Sequence, residues 1–469
     1  MIQRAMWVLL ACVAMAMTSG CTGRSHKQAD ARPQPAMGPL RVHPTNPRYF
    51  MDASGNAVYL TGSHTWPNIV DMGPTNPPPK FDFDKYLDFL VSHGHNYTRL
   101  WTWESTTWNT RGNNEDRLHH AAPMPYLRVG PGNALDGGLK FDLTRPNPEY
   151  FWRLRNRAMA ARQRGIYVSV MLFEGWGLQF APGAWESHPF HPQNNINSVN
   201  VDANGDGKGL ELHELGNAAV TVLQKIYVRN VIDSLNDLDN VLYEISNENH
   251  PQSTEWQYHM IRFIRDYEKT KPRQHPIGMT FQYKGGRNKT LFDSPADWIS
   301  PNPEGGYKDD PPAADGSKVI LNDTDHLWGI GGNVGWVWKS FTRGMNVLFM
   351  DPYDGQVLAR GDVSKWDPVR KNMGYTLQFA RRMGLANARP MNDLASSKYC
   401  LAKPAYQYLV YAPQGGTITL DLSAAKGALK VEWFDPGTGR STPAGSIEGG
   451  AARELTPPFE GDAVLYVYR

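Results

Sequence analysis

The sequence has few cysteines, and its basic and acidic residues nearly balance. Only Cys12, Cys21 and Cys400 occur in 469 residues, so the fold cannot rest on a disulfide framework or on a cysteine metal site. The net charge of +2 argues against a nucleic-acid-binding protein, which needs a basic stripe. The chain also lacks the His-Glu-x-x-His pattern of a catalytic zinc site.

The N-terminus carries a short apolar run over residues 6–17, too short to span a bilayer comfortably. The run ends just before Cys21 and resembles a bacterial lipoprotein signal, although Thr18 stands where an apolar residue is usual. We expect a signal peptide over 1–21 and a flexible tether over 22–39. The protein would then be secreted or held at the bacterial cell envelope by a lipid on Cys21, its one membrane contact.

Eight short apolar runs with polar ends follow, most of them separated by helical patterns. Parallel strands joined by helices are buried on both faces, which explains the unbroken apolar runs. Eight such units predict an α/β fold, a (β/α)₈ TIM barrel over 40–392. The rival fold is a doubly wound open sheet, but no Gly-x-Gly-x-x-Gly turn follows the first run. The runs begin near Val58, Tyr97, Ile166, Val241, Ile277, Trp298, Val319 and Val347.

The last part of the chain has a different pattern. From residue 393 to 469, apolar and polar residues alternate with period two, and Gly, Pro and Asp turns divide the segments. This pattern predicts a small antiparallel β-sandwich, an accessory domain too short to be a second catalytic unit.

Polar and tryptophan side chains stand where the predicted strands end. In a (β/α)₈ barrel this rim carries the chemistry, so these residues are candidates for a substrate site. For each tryptophan, a sugar-stacking platform and plain core packing are alternatives. Besides the acidic residues of the seventh strand, the candidates are His64, Trp66, Arg99, Trp101, Trp103, Glu104, Glu174, Trp176, Asn247, Glu248, His250, His326, Trp328 and Asp351.

Three of these positions together resemble glycoside hydrolase clan A. They are Arg99 after the second strand, Asn247-Glu248 at the end of the fourth, and an acidic residue at the end of the seventh. The resemblance implies that Glu248 is the acid/base, that Asn247 contacts the sugar next to the reacting carbon, and that Arg99 supports the nucleophile.

The seventh strand departs from the clan, which usually has Glu as the nucleophile there. This chain offers Asp323 and Asp325, of which we favour Asp323 because it falls where the Glu would be. Asp is one methylene shorter, so the separation of the two carboxyl groups is open. Retaining enzymes need about 5–5.5 Å and inverting enzymes about 6.5–9.5 Å between them.

Two further motifs concern the loops and the C-terminal domain. Residues 433–439 and 457–462 look like the module named "putative collagen-binding domain of a collagenase", which often follows such barrels. Asp202, Asn204 and Asp206 match the first half of an EF-hand calcium loop, although a plain Gly/Asp-rich surface loop is the alternative.

The sequence therefore predicts a glycoside hydrolase that cleaves a poly- or oligosaccharide with two carboxyl groups, by a mechanism that we expect to be retaining. The alternative is a non-catalytic cell-surface protein that binds carbohydrate or matrix on a barrel scaffold. The two carboxyl groups facing one pocket would favour the enzyme. Carboxyl groups that point apart would favour the binding protein.

Overall fold

Eight parallel strands close into a barrel in the computed structural model, which describes residues 34–110 and 116–469. Each strand pairs with the next along the chain, and the last pairs with the first, so the ring is complete. The predicted (β/α)₈ barrel is confirmed. The strands are β1 (Thr61–His64), β2 (Tyr97–Leu100), β3 (Tyr167–Glu174), β4 (Val241–Asn247), β5 (Ile277–Thr280), β6 (Trp298–Ser300), β7 (Val319–Asp323) and β8 (Asn346–Met350).

Helices form the outer layer, and polar side chains cap several of them. The carboxylate of Asp82 accepts the N–H of Lys85, and Asn147 and Asn217 cap the next two helices in the same way. The helices are α1 (Phe83–Ser92), α2 (Pro148–Gln163), α3 (Ala218–Leu235), α4 (Thr254–Glu268), α5 (Asn288–Asp293), α6 (Val334–Thr342) and α7 (Asp367–Arg382). Short helices cover Trp176–Phe180 and Thr324–Leu327, and 3₁₀ turns cover Trp66–Asn68, Leu210–His213, Pro251–Ser253, Ser364–Trp366, Leu385–Asn387 and Asn392–Leu394.

The barrel interior changes from apolar to charged toward the carboxyl ends of the strands. Tyr97, Leu242 and Leu321 pack in an apolar cluster near the amino ends. Two residues further along each strand, on the same face, stand Arg99, Glu244 and Asp323, which form ion pairs. A charged layer therefore lies directly beneath the rim that the carboxyl ends of the strands form.

Several small sheets surround the barrel strands. Arg41–Val42, Phe50–Met51 and Ala57–Val58 form an antiparallel sheet, so β1 begins at Thr61 and not near Val58 as predicted. Between β2 and α2 the chain adds sheet structure that the sequence analysis did not anticipate. It consists of the strands Thr107–Asn109 and Leu118–Ala122, which form a sheet with Asp71–Gly73 from the segment between β1 and α1, and of a hairpin of Tyr126–Asn133 with Leu139–Pro146.

The C-terminal part is the predicted antiparallel β-domain. Its six-stranded sheet contains, in spatial order, Arg389–Pro390, Cys400–Lys403, Gln407–Ala412, Ala463–Tyr468, Ala428–Asp435 and Arg440–Glu448. Ile418–Asp421 and Ala452–Leu455 form a second, two-stranded sheet. Side chains of the two sheets, including the buried Cys400, share one apolar cluster.

The predicted signal peptide, Cys21 and residues 22–33 of the predicted tether lie outside the described residues. Residues 34–39 follow the barrel surface, where the buried Ala36 donates its N–H to the carbonyl of Arg162 at 3.0 Å. In the described ranges no helix has the length and apolar character needed to cross a membrane.

Candidate active site

A cavity of about 610 Å³ opens at the carboxyl ends of the barrel strands. Aromatic rings form much of its wall, and three carboxyl groups point to it from different strands. This combination of apolar faces and a few polar groups is typical of a small-molecule site. The wall includes Trp66, Trp101, Trp108, Trp176, Phe281, Tyr283, Trp328, Glu174, Glu248, Asp325, His326 and Lys308.

Glu248 follows directly after β4 and lines the cavity. Its φ of 43° lies in the left-handed region, an unusual conformation for a residue that is not glycine and one often found at functional sites. The residue is 9% exposed. Burial raises the pKa of Glu248 well above its ordinary value, and the charges of Asp325 and Glu174 raise it further. Both effects favour the protonated form of Glu248.

The two acidic residues at the carboxyl end of β7 occupy different places. Asp323 is fully buried and does not line the cavity, whereas Asp325 forms part of the cavity wall. The Asp323 carboxylate accepts the N–H of Asp325 at 3.0 Å and so caps the helix Thr324–Leu327 that carries Asp325. The carboxyl group that a bound molecule meets is thus that of Asp325.

Arg99 holds both aspartates from inside the barrel. Its Nη2 lies 2.8 Å from Oδ2 of Asp323, its Nη1 lies 3.1 Å from Oδ2 of Asp325, and its Nε lies 2.9 Å from Oε2 of Glu244. Burial raises the pKa of Asp323, but the charges of Arg99 and His64 outweigh this and hold that pKa well below its ordinary value. Burial and the charge of Asp323 raise the pKa of Asp325, although Arg99 opposes the shift.

Asn247 is held in place by a chain of hydrogen bonds. Its Oδ1 accepts from Nε2 of His326 at 3.0 Å, and Nδ1 of the same imidazole accepts from the hydroxyl of Ser300 at 2.7 Å. Burial lowers the pKa of His326 to about 3, so the ring is neutral and the two bonds define one tautomer. The amide nitrogen of Asn247 is therefore the group left to donate to a bound molecule.

Glu174 is the third carboxyl group of the cavity. It ends β3 and accepts the N–H groups of Trp176 at 2.8 Å and Gly177 at 2.9 Å. Burial raises the pKa of Glu174 to about 8 despite these bonds. Behind it, Glu104 accepts the N–H of Glu174 at 2.7 Å and bonds Nε2 of His213 at 3.1 Å. Burial opposes ionisation of Glu104, but His213 and His188 outweigh it and lower its pKa to about 2.

The structure brings most of the predicted site residues together, but not all of them to the cavity. Glu174, Glu248, Asp325, His326 and the tryptophans Trp66, Trp101, Trp176 and Trp328 line it. His64 bonds Asp323 from below at 3.4 Å and stacks on Trp101. The others pack around the site: Trp103 against Trp66, Glu104 with His213, His250 with Glu214, and Asp351 with Arg370.

Several residues of the site were missed by the sequence analysis. Glu244 carries a readable signal, because it interrupts an apolar strand and stands four residues before Glu248, on the same face. Phe281 and Tyr283 follow the end of β5, so their position at a strand end was the available signal. Trp108 and Lys308 come from an inserted strand and a loop, and no spacing in the sequence relates them to the barrel rim.

One group in the described part of the chain could present three ligands to a metal ion. One atom each of His64, Asp323 and Asp325 lie within 4.8 Å of one another. Arg99 already contacts both aspartates, so a divalent ion there would lie beside a guanidinium charge. The cluster therefore fits arginine better than a metal.

Hydrogen bonds between side chains and backbone N–H groups of the same loop hold the predicted calcium loop. Asp202 accepts the N–H groups of Asp206 at 3.1 Å and Gly207 at 3.0 Å, and Asn204 accepts that of Asp206 at 2.8 Å. These Asx-type bonds account for the turn with or without an ion. Calcium binding at Asp202, Asn204 and Asp206 stays a prediction.

Two family models match the sequence. The family described as "Domain of unknown function (DUF6298)" matches residues 95–286, which contain β2 to β5. The family described as "Putative collagen-binding domain of a collagenase" matches residues 391–467, which confirms the predicted resemblance of the C-terminal domain. A sequence search of curated proteins gave no match.

Solved structures share the architecture over most of the chain. A glycoside hydrolase of family 5 from Bacteroides vulgatus is 12% identical with a TM-score of 0.60, and the alignment covers 92% of this chain and 93% of that one. A "putative glycoside hydrolase" from the same organism is 14% identical with a TM-score of 0.60, covering 92% and 82%. At such identities the likeness shows the fold, and the predicted clan A resemblance is confirmed at that level.

Proposed function

We propose that this protein is a glycoside hydrolase in which Glu248 is the acid/base and Asp325 the nucleophile. One observation carries the proposal: Glu248 and Asp325 line the same cavity, from the ends of β4 and β7, and Arg99 binds Asp325 from inside the barrel. Asp325 takes the role that we expected for Asp323, because the Asp323 carboxylate is buried beneath the cavity.

The surroundings of the two residues differ in one respect that suits their roles: Arg99 contacts the Asp325 carboxyl group, and in the described part of the chain no such ion pair holds that of Glu248. Glu248, protonated, gives its proton to the glycosidic oxygen as the bond to the anomeric carbon breaks. Asp325 in its carboxylate form, which the adjacent Arg99 favours against the effect of burial, attacks that carbon and forms a glycosyl-enzyme ester. Water then attacks the same carbon while Glu248, now ionised, takes its proton, and Asp325 leaves as the carboxylate.

The surroundings support a sugar as the bound molecule. Indole rings offer flat apolar faces to the C–H faces of a pyranose, and the Asn247 amide can donate to a hydroxyl next to the reacting carbon. The likeness to glycoside hydrolases agrees with this proposal at the level of the fold. The alternative, a binding protein without activity, does not require a buried proton donor opposite an arginine-bound carboxylate.

The proposal is tested by hydrolysis of a panel of oligosaccharides by the wild type, Glu248→Gln, Asp325→Asn and Asp323→Asn. We expect the first two variants to lose at least about 10³-fold in kcat. Asp323→Asn should lose less in kcat and should lower the melting temperature, because it supports Arg99 and a helix cap. NMR of the first product should show retention at the anomeric carbon.

Equal activity in all four proteins would refute the glycosidase proposal. If Asp325→Asn stayed active while Asp323→Asn did not, the nucleophile would be Asp323. Sugar binding without turnover by the wild type would favour the binding protein.

A further inference from the structure

The cavity contains one carboxyl group more than the proposed reaction uses. Glu174 is 4% exposed and lies on the cavity wall at the end of β3. Two backbone N–H groups fix its carboxyl group, and Glu104 holds the backbone of the same residue. Glu174 is thus a rigid part of the site. Burying its carboxyl group costs free energy, and a ligand that donates hydrogen bonds to it would offset that cost.

Acidic residues outnumber basic ones on the described wall of the cavity. Glu174, Glu248 and Asp325 are acidic, whereas Lys308 is the one Lys or Arg on the described wall. The Lys308 ammonium lies 5.2 Å from the ring centroid of Trp328. The Glu248 side chain is 9% exposed, and within the described residues its carboxyl group has no hydrogen-bond or ion-pair partner. A buried carboxyl group in this state is a ready acceptor for a donor on the ligand.

The aromatic wall next to Glu174 also favours positive charge. Trp108 packs against Trp176 with ring centroids 5.3 Å apart, and Trp66 packs against Trp108 at 5.7 Å. A Cβ added at Gly177 would lie 2.8 Å from the Trp108 ring and 2.7 Å from Oε2 of Glu174. The indole ring therefore lies against the turn that holds the Glu174 carboxyl group. Indole faces attract cations, and a carboxylate beside them adds a direct partner.

We propose that the sugar bound in this cavity is an amino sugar with an unsubstituted, protonated amino group, and that Glu174 is the specificity residue that binds this group. The inference rests on the proposed function and names its substrate class. The ammonium group would donate hydrogen bonds to the Glu174 carboxyl group next to the tryptophan wall. Its positive charge would lower the pKa of Glu174 from about 8, so that binding the amine favours the carboxylate form. A hydroxyl or an N-acetyl group at that position carries no charge, and the carboxylate of a uronic acid would be repelled.

Binding of monosaccharides tests this inference without any turnover. The probes are glucosamine, galactosamine and mannosamine, each compared with its N-acetyl form and its neutral parent, together with glucuronate. Kd is measured by NMR titration of the full-length wild type at a pH at which the amines are protonated. At least one amino sugar should bind about tenfold or more tightly than its neutral and N-acetyl counterparts, as a charge-assisted hydrogen bond provides.

Three variants test whether Glu174 is the residue that causes the preference for amino sugars. Glu174→Gln keeps the shape and removes the charge, so the preference for the amino sugar should fall about tenfold. Glu255→Gln, an exposed position on α4, makes the same change in net charge and should keep the preference. Lys308→Met removes the like charge from the wall and should strengthen amino-sugar binding about threefold, which tests the inference even if Glu174→Gln fails to fold.

The inference would be overturned by equal binding of neutral, N-acetyl and amino sugars, by tighter binding of glucuronate, or by no binding of any probe. An unchanged preference in folded Glu174→Gln would overturn the role of Glu174. Hydrolysis of neutral glycans by the wild type and not by Glu248→Gln, without a preference for amino sugars, would overturn this inference alone and leave the glycosidase proposal intact.

Discussion

Arg99 is the residue on which the charge balance of the site depends. Burial alone would lower the pKa of its guanidinium, but Glu244, Asp323 and Asp325 surround it and raise that pKa. A guanidinium can serve all three because its donors point in fixed, separate directions, which a lysine ammonium cannot reproduce. Burial raises the pKa of Glu244 to about 7. The charges of Asp323 and Asp325 add to this shift, and Arg99 opposes it.

The raised pKa of Glu244 predicts a measurable effect on stability. A carboxyl group whose pKa is higher in the folded than in the unfolded state stabilises the fold fully below its unfolded pKa. This stabilisation is lost as the pH rises through the folded value, here about 7. Glu244→Gln cannot ionise, so its unfolding free energy should fall less between pH 5 and pH 9 than that of the wild type, by roughly 2–3 kcal/mol.

Urea denaturation at both pH values measures this difference. The exposed Glu255→Gln serves as the control and should follow the wild type across the range. Parallel curves for the wild type and Glu244→Gln would show that Glu244 has the same pKa in both states.

The residues of the site differ in how far the sequence could identify them. Glu248 and Arg99 stand at the ends of predicted strands. The period-two alternation of strand side chains and the place of strand ends in a barrel indicate that both side chains face the barrel axis or its rim. The choice between Asp323 and Asp325 depended on where β7 stops and a helix begins, and the sequence alone does not fix such a boundary. Side chains from distant loops, such as Lys308 and Trp108, reach the cavity through tertiary packing that no local pattern encodes.

Among the helices and strands, a regular hydrophobic pattern was the signal that predicted an element reliably. The long apolar runs of β3 and β4 and the amphipathic stripe of α1 were predictable because both strand faces, or one helix face, are buried. The inserted strands between β2 and α2 were not predicted. They include the hairpin arm Leu139–Pro146, where only Phe141 and Leu143 are buried and the last three residues are exposed, so the alternation is too short to identify a strand.

The contact between β5 and β6 shows how closely the barrel interior is packed. Gly278 pairs with Trp298, and a Cβ added at Gly278 would lie 1.9 Å from the Trp298 indole ring. The ring fills the space that a side chain on β5 would need. Gly278→Ala should therefore lower the unfolding free energy by about 2 kcal/mol or more, because Trp298 must move within a closed ring of strands.

Thermal and urea unfolding of Gly278→Ala measure this loss. Gly384→Ala is the matched control, since a Cβ at Gly384 would meet nothing within 4 Å and its φ of −77° suits alanine. The control should stay within about 0.5 kcal/mol of the wild type. Equal stability of the two variants would mean that Trp298 can move without cost.

At the scale of the whole molecule, the barrel and the β-domain share an apolar interface. Phe434 of the β-domain packs against Tyr375 and Phe379 of α7 and Trp338 of α6, with ring centroids 5.1, 5.3 and 5.8 Å apart. Beside it, both amino groups of Arg382 bond Glu432, at 2.8 and 2.6 Å. Residues 34–469 form one compact unit, so the β-domain is a structural part of the barrel, not a separately tethered module.

This interface predicts that the two parts unfold together. In calorimetry the wild type should show one transition, and Phe434→Ala should lower its midpoint or divide it in two, because a buried phenylalanine lost from a core costs about 3–5 kcal/mol. Phe459→Ala is the matched control, since Phe459 packs on the cluster inside the β-domain and is partly exposed. It should cost less and leave a single transition. If the wild type already showed two transitions and Phe434→Ala moved only one of them, the β-domain would fold independently, and its contact with α6 and α7 would contribute little to the stability of the barrel that carries the site.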